Sequence, residues 1–211
     1  MYDAVEILGK KGYKGEIFFK QSEDLALSYE GWKLKKGELS EEAGYSVRVL
    51  KNGRVGFSGT TSPEHFNEAV QRAIETSQIG EELEFEFPGK LDAKPVDVYD
   101  EKLASINREQ LIEWAEYIIE ELSELRGECE LKLDIGRSFG QTELTNTSGA
   151  HCVNKKSSLG ISIELFKMEE GDVLIMFDML AVTHLDGEFE KGLKTLADRL
   201  KKKYYAAKRI V

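Results

Sequence analysis

Strict alternation of apolar and polar residues is the feature that most constrains the fold of this chain. It runs through segments 25–29, 45–49, 131–135 and 161–165, where every second side chain is apolar. Such alternation is typical of antiparallel strands that turn one face to a core and the other to polar surroundings. The run 173–180 is apolar on both faces, which predicts a central strand covered on both sides.

Amphipathic segments predict helices that cover one face of this sheet. In segment 107–126, apolar residues recur at steps of three and four, Asn107 is an N-cap, and Gln110 completes a capping box. Similar stripes lie in segment 62–79 and in a segment that begins near residue 186. The sequence therefore predicts an α+β fold of antiparallel sheets with helices packed on one face.

The same order of elements occurs twice along the chain. Residues 1–80 and 107–211 can each be read as an α-β-β-β-β-α unit, with Gly44 in the first corresponding to Gly160 in the second. This pattern predicts an internal duplication within one domain, with segment 81–106 as the linker between the two units.

Several glycines and asparagines mark turns. Asn52 and Gly53 form an Asn-Gly pair between two alternating segments, which predicts a type I′ hairpin. Segment 146–149 favours a polar turn between strands. Gly56 is explained by the close approach of a neighbouring strand. The positions predicted to have a structural turn role are Gly44, Asn52, Gly53, Gly56 and Gly149.

Composition and charge exclude several classes of protein. The 211 residues carry a formal charge of −10, which does not fit a nucleic-acid-binding face. No apolar stretch reaches the roughly 18 residues of a membrane span, and the N-terminus does not resemble a secretory signal. Cys129 and Cys152 stand alone, which favours free thiols in a cytoplasmic protein. Richness in Lys and Glu is typical of thermophiles.

No catalytic constellation can be assembled from the sequence. His65 with Glu68 gives half a metal site at best, and the acids after His184 are expected as helix caps. The glycines of segment 53–56 lie in a hairpin and lack the lysine of a phosphate-binding loop. The sequence therefore predicts no catalytic residue, no metal site and no cofactor for this chain.

Three features together resemble a known family. Segment 44–58, GYSVRVLKNGRVGFS, is followed by the helix from Ser62 and by the turn 146–149. The whole chain resembles the N-terminal region of the TldD/PmbA family, often labelled modulators of DNA gyrase. In that family the TldD type carries an H-E-x-x-x-H metal motif towards its C-terminal region. Since this motif is absent here and the chain ends about where that region would start, no catalytic residue is carried over.

The resemblance implies a non-catalytic part or subunit of a peptide-processing metallopeptidase system. Arg48, Asn146 and Ser148 are then expected at the peptide cleft or at a partner contact. The expected partners are a second copy in a homodimer or a metal-bearing TldD-like chain, and an extended peptide, with no nucleic acid and no membrane. The alternative is a free-standing protein-binding or scaffold domain. Candidates for aromatic side chains that remain exposed for such contacts are Phe85, Phe87, Tyr204 and Tyr205, although Tyr204 also fits the inner face of the last helix.

Overall fold

A computed structural model of the chain describes residues 1–90, 94, 96–169 and 171–207. The helices are α1 (Tyr2–Lys10), α2 (Phe66–Thr76), α3 (Glu101–Ala104), α4 (Arg108–Glu121) and α5 (Glu188–Ala207). The strands are β1 (Lys14–Glu30), β2 (Lys33–Lys51), β3 (Arg54–Thr60), β4 (Glu130–Asn146), β5 (His151–Glu169) and β6 (Asp172–Val182). Short 3₁₀ turns lie directly before α2 and after α4.

The strands form one sheet in the order β3-β2-β1-β4-β5-β6 within the described residues. This confirms the predicted α+β fold with antiparallel strands. Each half of the described chain contributes three long or medium strands, not the predicted four. In the first half this is because segments 15–19 and 25–29 belong to the single strand β1. No glycine or proline lies between them to break the extended backbone.

The expectation that segment 173–180 is central and covered is wrong. This segment lies in β6, which is the last strand of the sheet order. Met176 is buried, whereas Val173, Ile175, Phe177 and Met179 are between 45% and 59% exposed. A run that is apolar on both faces does not by itself distinguish a central strand from an edge strand with an apolar outer face.

The chain folds into two compact units, and most of the dividing points fall inside long strands. Unit 1 comprises Met1–Ser22, Glu41–Asp97 and Gly140–Lys155, and unit 2 comprises Glu23–Ser40, Val98–Phe139 and Lys156–Val211. These units are not the two predicted repeats. The repeats are defined by the order of helices and strands, whereas the units are defined by compactness. The boundaries of the repeats and of the linker 81–106 therefore stay a prediction.

Unit 1 has a small core between its part of the sheet and helices α1 and α2. Ile17, Val47 and Val49 project from the sheet into this core. Their partners come from the two helices: Ala4 and Leu8 from α1; Val70, Ala73 and Ile74 from α2. Because side chains alternate between the two faces along β1 and β2, the helices of this core cover only one face of the sheet. We call the opposite face the helix-free face of unit 1.

Unit 2 has a larger core. Leu133 of β4 and Ile163 of β5 are fully buried there with Leu111 of α4 and Leu196 of α5. No helix in the described part of the chain has the length and hydropathy needed to cross a membrane.

The predicted capping box at the start of α4 is confirmed. The Asn107 side chain accepts from the Gln110 amide, and the Gln110 side chain accepts from the Asn107 amide. Two amides at the helix start, which have no partner within the helix, are thereby satisfied.

Candidate functional site

The helix-free face of unit 1 carries the most distinctive side chains of that unit. Residues on β1 and β2 that alternate with the buried positions project there, among them Glu16, Phe18, Ser46 and Arg48. Arg48 lies opposite Phe57 of β3 in the antiparallel register, so both side chains share this face. At 63% exposure, Phe57 presents most of an aromatic ring to solvent.

A broad groove of about 1110 Å³ opens at the C-terminal end of β3, beside inner parts of β1 and β2 and the side of α2. Its polar lining includes the hydroxyl groups of Ser46, Thr60 and Thr61. Charged side chains of both signs also contribute: Lys20, Glu41, Glu42 and Arg72. Gly44 and Gly59 lie in the wall, where the absence of a side chain leaves the backbone accessible.

A smaller cleft of about 320 Å³ adjoins the groove through two shared residues, Phe18 and Ser46. Its other lining residues are Glu16, Arg48, Phe57 and Leu144. Three of its six side chains are therefore large and apolar, while an acid and a base contribute charge to the wall. Arg48, predicted from the sequence as a cleft or partner residue, lies here.

Arg48 is held by an ion pair with a nearly buried acid. Its Nη2 lies 2.5 Å from Oε1 of Glu16, whose side chain is only 9% exposed. The guanidinium also lies 5.5 Å from the ring centre of Phe85 and 5.4 Å from that of Phe87, which is within cation–π range. These contacts fix the position of a residue that is still half exposed.

The acidic-aromatic part of the predicted linker, residues 81–89, belongs to unit 1 and is bonded to its strands. The Val55 amide donates to the Glu81 carbonyl at 3.0 Å, and the Leu83 amide donates to the Gly53 carbonyl at 2.8 Å. Two ion pairs add to this attachment: Arg54–Glu82 at 2.6 Å and Lys14–Glu86 at 2.8 Å. Segment 81–89 is thus held within unit 1, beside Arg48 of the helix-free face.

Two of the four aromatic candidates for exposure are buried, and for Tyr204 this confirms the alternative position on the inner face of the last helix. Phe87 is 5% exposed because it packs with Phe85 and against Arg48. Tyr204 is fully buried in the core of unit 2, where it faces inward from α5. Phe85 is half buried, and Tyr205 remains largely exposed.

Asn146 lies at the turn between β4 and β5 and is buried. Its Oδ1 accepts from the amides of Ser148 at 2.9 Å and Ala150 at 3.0 Å, and its Nδ2 donates to the carbonyl of Pro88 at 2.9 Å. Ser148 is exposed and contributes its backbone amide to this network. Neither residue lines the groove or the smaller cleft, and Asn146 is linked to Arg48 only indirectly, through segment 81–89.

The predicted turn positions have different roles in the structure. Asn52 and Gly53 both have positive φ angles, 51° and 76°, as the predicted type I′ hairpin requires. Gly149 also has a positive φ of 92°. Gly44 lies within β2, in the groove wall. A Cβ at Gly56 would lie 1.9 Å from the carbonyl oxygen of Ala73, so the close neighbour is the end of α2 and not the predicted strand.

The described residues hold no group of three His, Cys, Asp or Glu side chains arranged to bind a metal ion. His151 contacts the hydroxyl of Tyr2 at 2.5 Å and Glu143 at 3.3 Å, which is a surface network of one acid and one imidazole.

Asp100 accepts hydrogen bonds from the amides of Leu185 and Lys102. These bonds, that of Leu185 above all, lower the pKa of its carboxyl. That acid has a structural role within unit 2.

Sequence reasoning missed Phe57, Phe18 and Glu16 as members of the candidate site. The sequence contained a signal that Phe57 lies near Arg48. Phe57 is two residues from Val55 in a short strand, and this strand follows the strand of Arg48 after the Asn-Gly turn. Glu16 also had a signal, since a charged residue directly before Ile17 and Phe18 must find a partner if the strand is buried. Its partner could be identified only from the arrangement of β1 beside β2.

Comparison with known proteins agrees with this fold. The sequence-family model described as PmbA/TldA metallopeptidase domain 1 matches residues 15–77 of this chain. TldE from Thermococcus kodakarensis has a TM-score of 0.81 at 18% identity, covering 95% of this chain and 47% of its own. A proposed modulator of DNA gyrase from Thermotoga maritima has a TM-score of 0.81 at 13% identity, covering 95% and 46%. No curated protein matches the sequence.

A further proposed modulator of DNA gyrase, from Bacteroides thetaiotaomicron, has a TM-score of 0.78 at 15% identity, with 94% of this chain and 48% of its own covered. The chain therefore spans about half the length of these solved structures. At such identities the structural likeness shows a shared fold. The matched stretch 15–77 includes Arg48 and Phe57 of the candidate site. These matches confirm the resemblance predicted from the sequence: residues 15–77 are similar to the first domain of PmbA/TldA metallopeptidases, and the fold of the chain is similar to that of the solved structures.

Proposed function

We propose that this chain is a non-catalytic N-terminal part or subunit of a TldD/PmbA-like peptide-processing metallopeptidase system. In this role the helix-free face of unit 1 forms a wall of the peptide cleft. The observation that carries the proposal is the groove of about 1110 Å³ beside β1, β2 and the end of β3, in the stretch that matches a metallopeptidase domain.

The chemistry of the groove suits an extended peptide backbone. Hydroxyl groups of Ser46 and Thr61 can donate to and accept from peptide groups, whatever the side chains of the peptide. The Thr60 hydroxyl already donates to the Ser62 carbonyl and accepts from the Ser62 amide. The two glycines of the wall leave room for a second backbone to approach. Because two bases lie there among two acids, the groove does not select peptides by net charge alone.

Catalysis in this proposal belongs to another chain or domain. A catalytic zinc site uses three protein ligands, and the described residues offer no such group. The metal would therefore come from a TldD-like partner that carries the H-E-x-x-x-H motif. We place this system in the cytoplasm, since the sequence has two cysteines, no C-x-x-C pair and no disulfide framework.

The helix-free face of β5 and β6 is the surface that we propose for self-association. Its exposed apolar residues lie on neighbouring strands: Met168, Val173, Ile175, Phe177 and Met179. Charged side chains of both signs lie on the same face, among them Lys132, Asp134 and Glu164, so that opposite charges can pair across a contact between two copies. Asp178 and Lys203 bond to the backbone of β6, which favours contact through the face over addition of a strand at the edge.

The alternative, a free-standing protein-binding or scaffold domain, would use the same apolar face without a protease. Two measurements separate the two functions. Fluorescence anisotropy with labelled unstructured peptides tests the groove, and Thr60→Lys, which fills it with a long charged side chain, should abolish binding. Ser123→Lys, on the 3₁₀ turn after α4, is the matched control and should leave binding unchanged.

A hydrolysis assay then tests the role in a protease. A metal-bearing TldD-like chain is mixed with this chain, and cleavage of an unstructured peptide is followed. Cleavage that requires both chains and is lost in the Thr60→Lys variant supports the proposal. Failure of the chain to bind any unstructured peptide, alone or with such a partner, would leave the scaffold function as the better description.

A further inference from the structure

We propose that the smaller cleft between β1, β2, β3 and β4 is a specificity pocket for an aromatic side chain of the bound peptide. This inference rests on the proposed function, because the cleft is treated as a side pocket of the peptide groove. The two are adjacent, since Phe18 and Ser46 line both. A peptide lying in the groove can therefore direct a side chain into the cleft.

The lining of the cleft suits an aromatic ring better than a charged or small polar side chain. Phe18, Phe57 and Leu144 provide apolar walls, and the volume of about 320 Å³ lies at the lower end of the range for small-ligand pockets. Aromatic side chains bury a large area and gain from edge-to-face contact with other rings. Phe57 has most of its ring available for such contact.

The charged pair in the wall adds a second preference for aromatic rings. Arg48 is already paired with the nearly buried Glu16, so the pair has little net charge to attract a carboxylate or an ammonium group. A guanidinium can still bind a ring face, and Arg48 does so in this chain with Phe85 and Phe87. Those two rings do not line the cleft, which leaves the cleft open to a third ring.

Segment 81–89 shows which chemistry this part of unit 1 accepts. Its aromatic residues alternate with glutamates, and two of its glutamates pair with Lys14 and Arg54. The occupant that we propose for the cleft is thus an aromatic residue within an extended peptide. An aliphatic residue would gain the burial without the ring contacts, and a charged residue would lose its hydration.

The test uses fluorescein-labelled Gly-Ser peptides that differ only at the central residue, which is Phe, Leu, Lys or Ser. By anisotropy, the Phe peptide should bind the full chain at least about fivefold more tightly than the Ser peptide, with the Leu peptide in between. Phe57→Ala should reduce this ratio to below about twofold, because the ring contact that favours the Phe peptide is lost. Because Phe57 is largely exposed, the variant loses few buried contacts, and circular dichroism confirms that it is folded.

Two further variants define the pocket. Tyr117→Ala removes an exposed aromatic residue of α4 that lies outside the groove and cleft, and it should keep the preference for Phe. Arg48→Lys keeps the charge but not the planar group, and it should lower the preference without abolishing it. Binding of all four peptides with equal affinity would overturn the pocket and leave the groove intact. Absence of binding by every peptide would overturn both the pocket and the proposed function.

Discussion

Arg48 on β2 and Glu16 on β1 form an ion pair in which the acid is nearly buried and the base is half exposed. The pair therefore depends on the arginine: without it, the Glu16 carboxylate would remain in the sheet face with its charge poorly solvated. This asymmetry predicts that Arg48 matters for stability as well as for any ligand in the cleft beside it.

Substitution Arg48→Ala should lower the free energy of unfolding by about 2 kcal/mol, which is below the usual cost of breaking a fully buried pair because the arginine is half exposed. The double variant Arg48→Ala/Glu16→Gln should recover part of this loss, since it also removes the stranded charge. Urea denaturation measures both. Lys20→Ala is the control, because its 3.4 Å pair with Glu42 is exposed and its loss should cost no more than about 0.5 kcal/mol. An Arg48→Ala variant as stable as the wild type would identify Arg48 as a solvated surface residue.

Asn146→Ala should destabilise the chain by about 2 to 4 kcal/mol, since it leaves two backbone amides and the Pro88 carbonyl without their partner. Ser148→Ala is the matched control in the same turn. Its backbone amide remains available and its side chain is exposed, so its effect should stay within about 0.5 kcal/mol. Thermal and urea unfolding of both variants check this. Equal effects of the two substitutions would contradict the assigned role of Asn146.

Gly56→Ala should be among the most destabilising small substitutions in unit 1, with a loss of about 3 kcal/mol or failure to fold. The added Cβ would lie 1.9 Å from the Ala73 carbonyl oxygen and 2.4 Å from the Ser77 amide nitrogen, so α2 would have to move away from β3. A Cβ at Gly127 meets no atom within 4 Å, and Gly127→Ala should change stability by less than about 1 kcal/mol. Similar unfolding midpoints for the two variants would show that α2 is not tightly seated on β3.

Asp178 should give the chain a stability that depends on acid pH. The side-chain hydrogen bond from Arg199, with a second from Lys203, lowers the pKa of the Asp178 carboxyl from 3.8 to about 2. Because this pKa is depressed in the folded state, the stabilisation is fully present above about pH 4 and is lost as the pH falls towards 2. Solvent screens the pair, as both bases are nearly half exposed, so we expect about 1 kcal/mol.

The measurement for Asp178 compares the free energy of unfolding at about pH 5 and about pH 2.5 in the wild type and in Asp178→Asn. The variant should be less stable at the higher pH, and its deficit should shrink at the lower one. Asp198→Asn, on the exposed side of α5, is the control and should follow the wild type. A deficit of Asp178→Asn that does not change with pH would show that the ion pair does not contribute to stability.

The apolar face of β6 should determine self-association. Light scattering of the wild type at micromolar concentration should give twice the chain mass of 23.8 kDa. The double variant Ile175→Ser/Phe177→Ser removes two exposed apolar side chains at the centre of the face and should shift the protein to a monomer. Ile79→Ser changes an even more exposed apolar residue in unit 1 and should leave the dimer intact. A wild-type monomer at all concentrations would contradict the proposed second copy.

Much of the local structure could be predicted from the sequence, because its causes lie within a few residues of each other. The capping box of α4 depends on Asn107 and Gln110, three residues apart, and the hairpin after β2 depends on the positive φ angles that Asn52 and Gly53 tolerate. The alternation along β2 likewise predicted which residues face the core, and Val47 and Val49 are fully buried. The resemblance of segment 44–58 to a family could also be recognised at this level.

What only the tertiary structure decided depends on strand pairing between distant parts of the chain. The position of β6 at the edge of the sheet leaves its outer apolar side chains exposed, although its sequence is equally consistent with a covered strand. The pairing of Glu16 with Arg48, 32 residues further along, and the packing of Phe87 against Arg48 follow from the order of strands and the path of segment 81–89. The candidate pocket exists because register places Phe57 opposite Arg48. Hydrophobic periodicity specifies the face on which a side chain lies, but the neighbours on that face are set by long-range pairing, which no local pattern encodes.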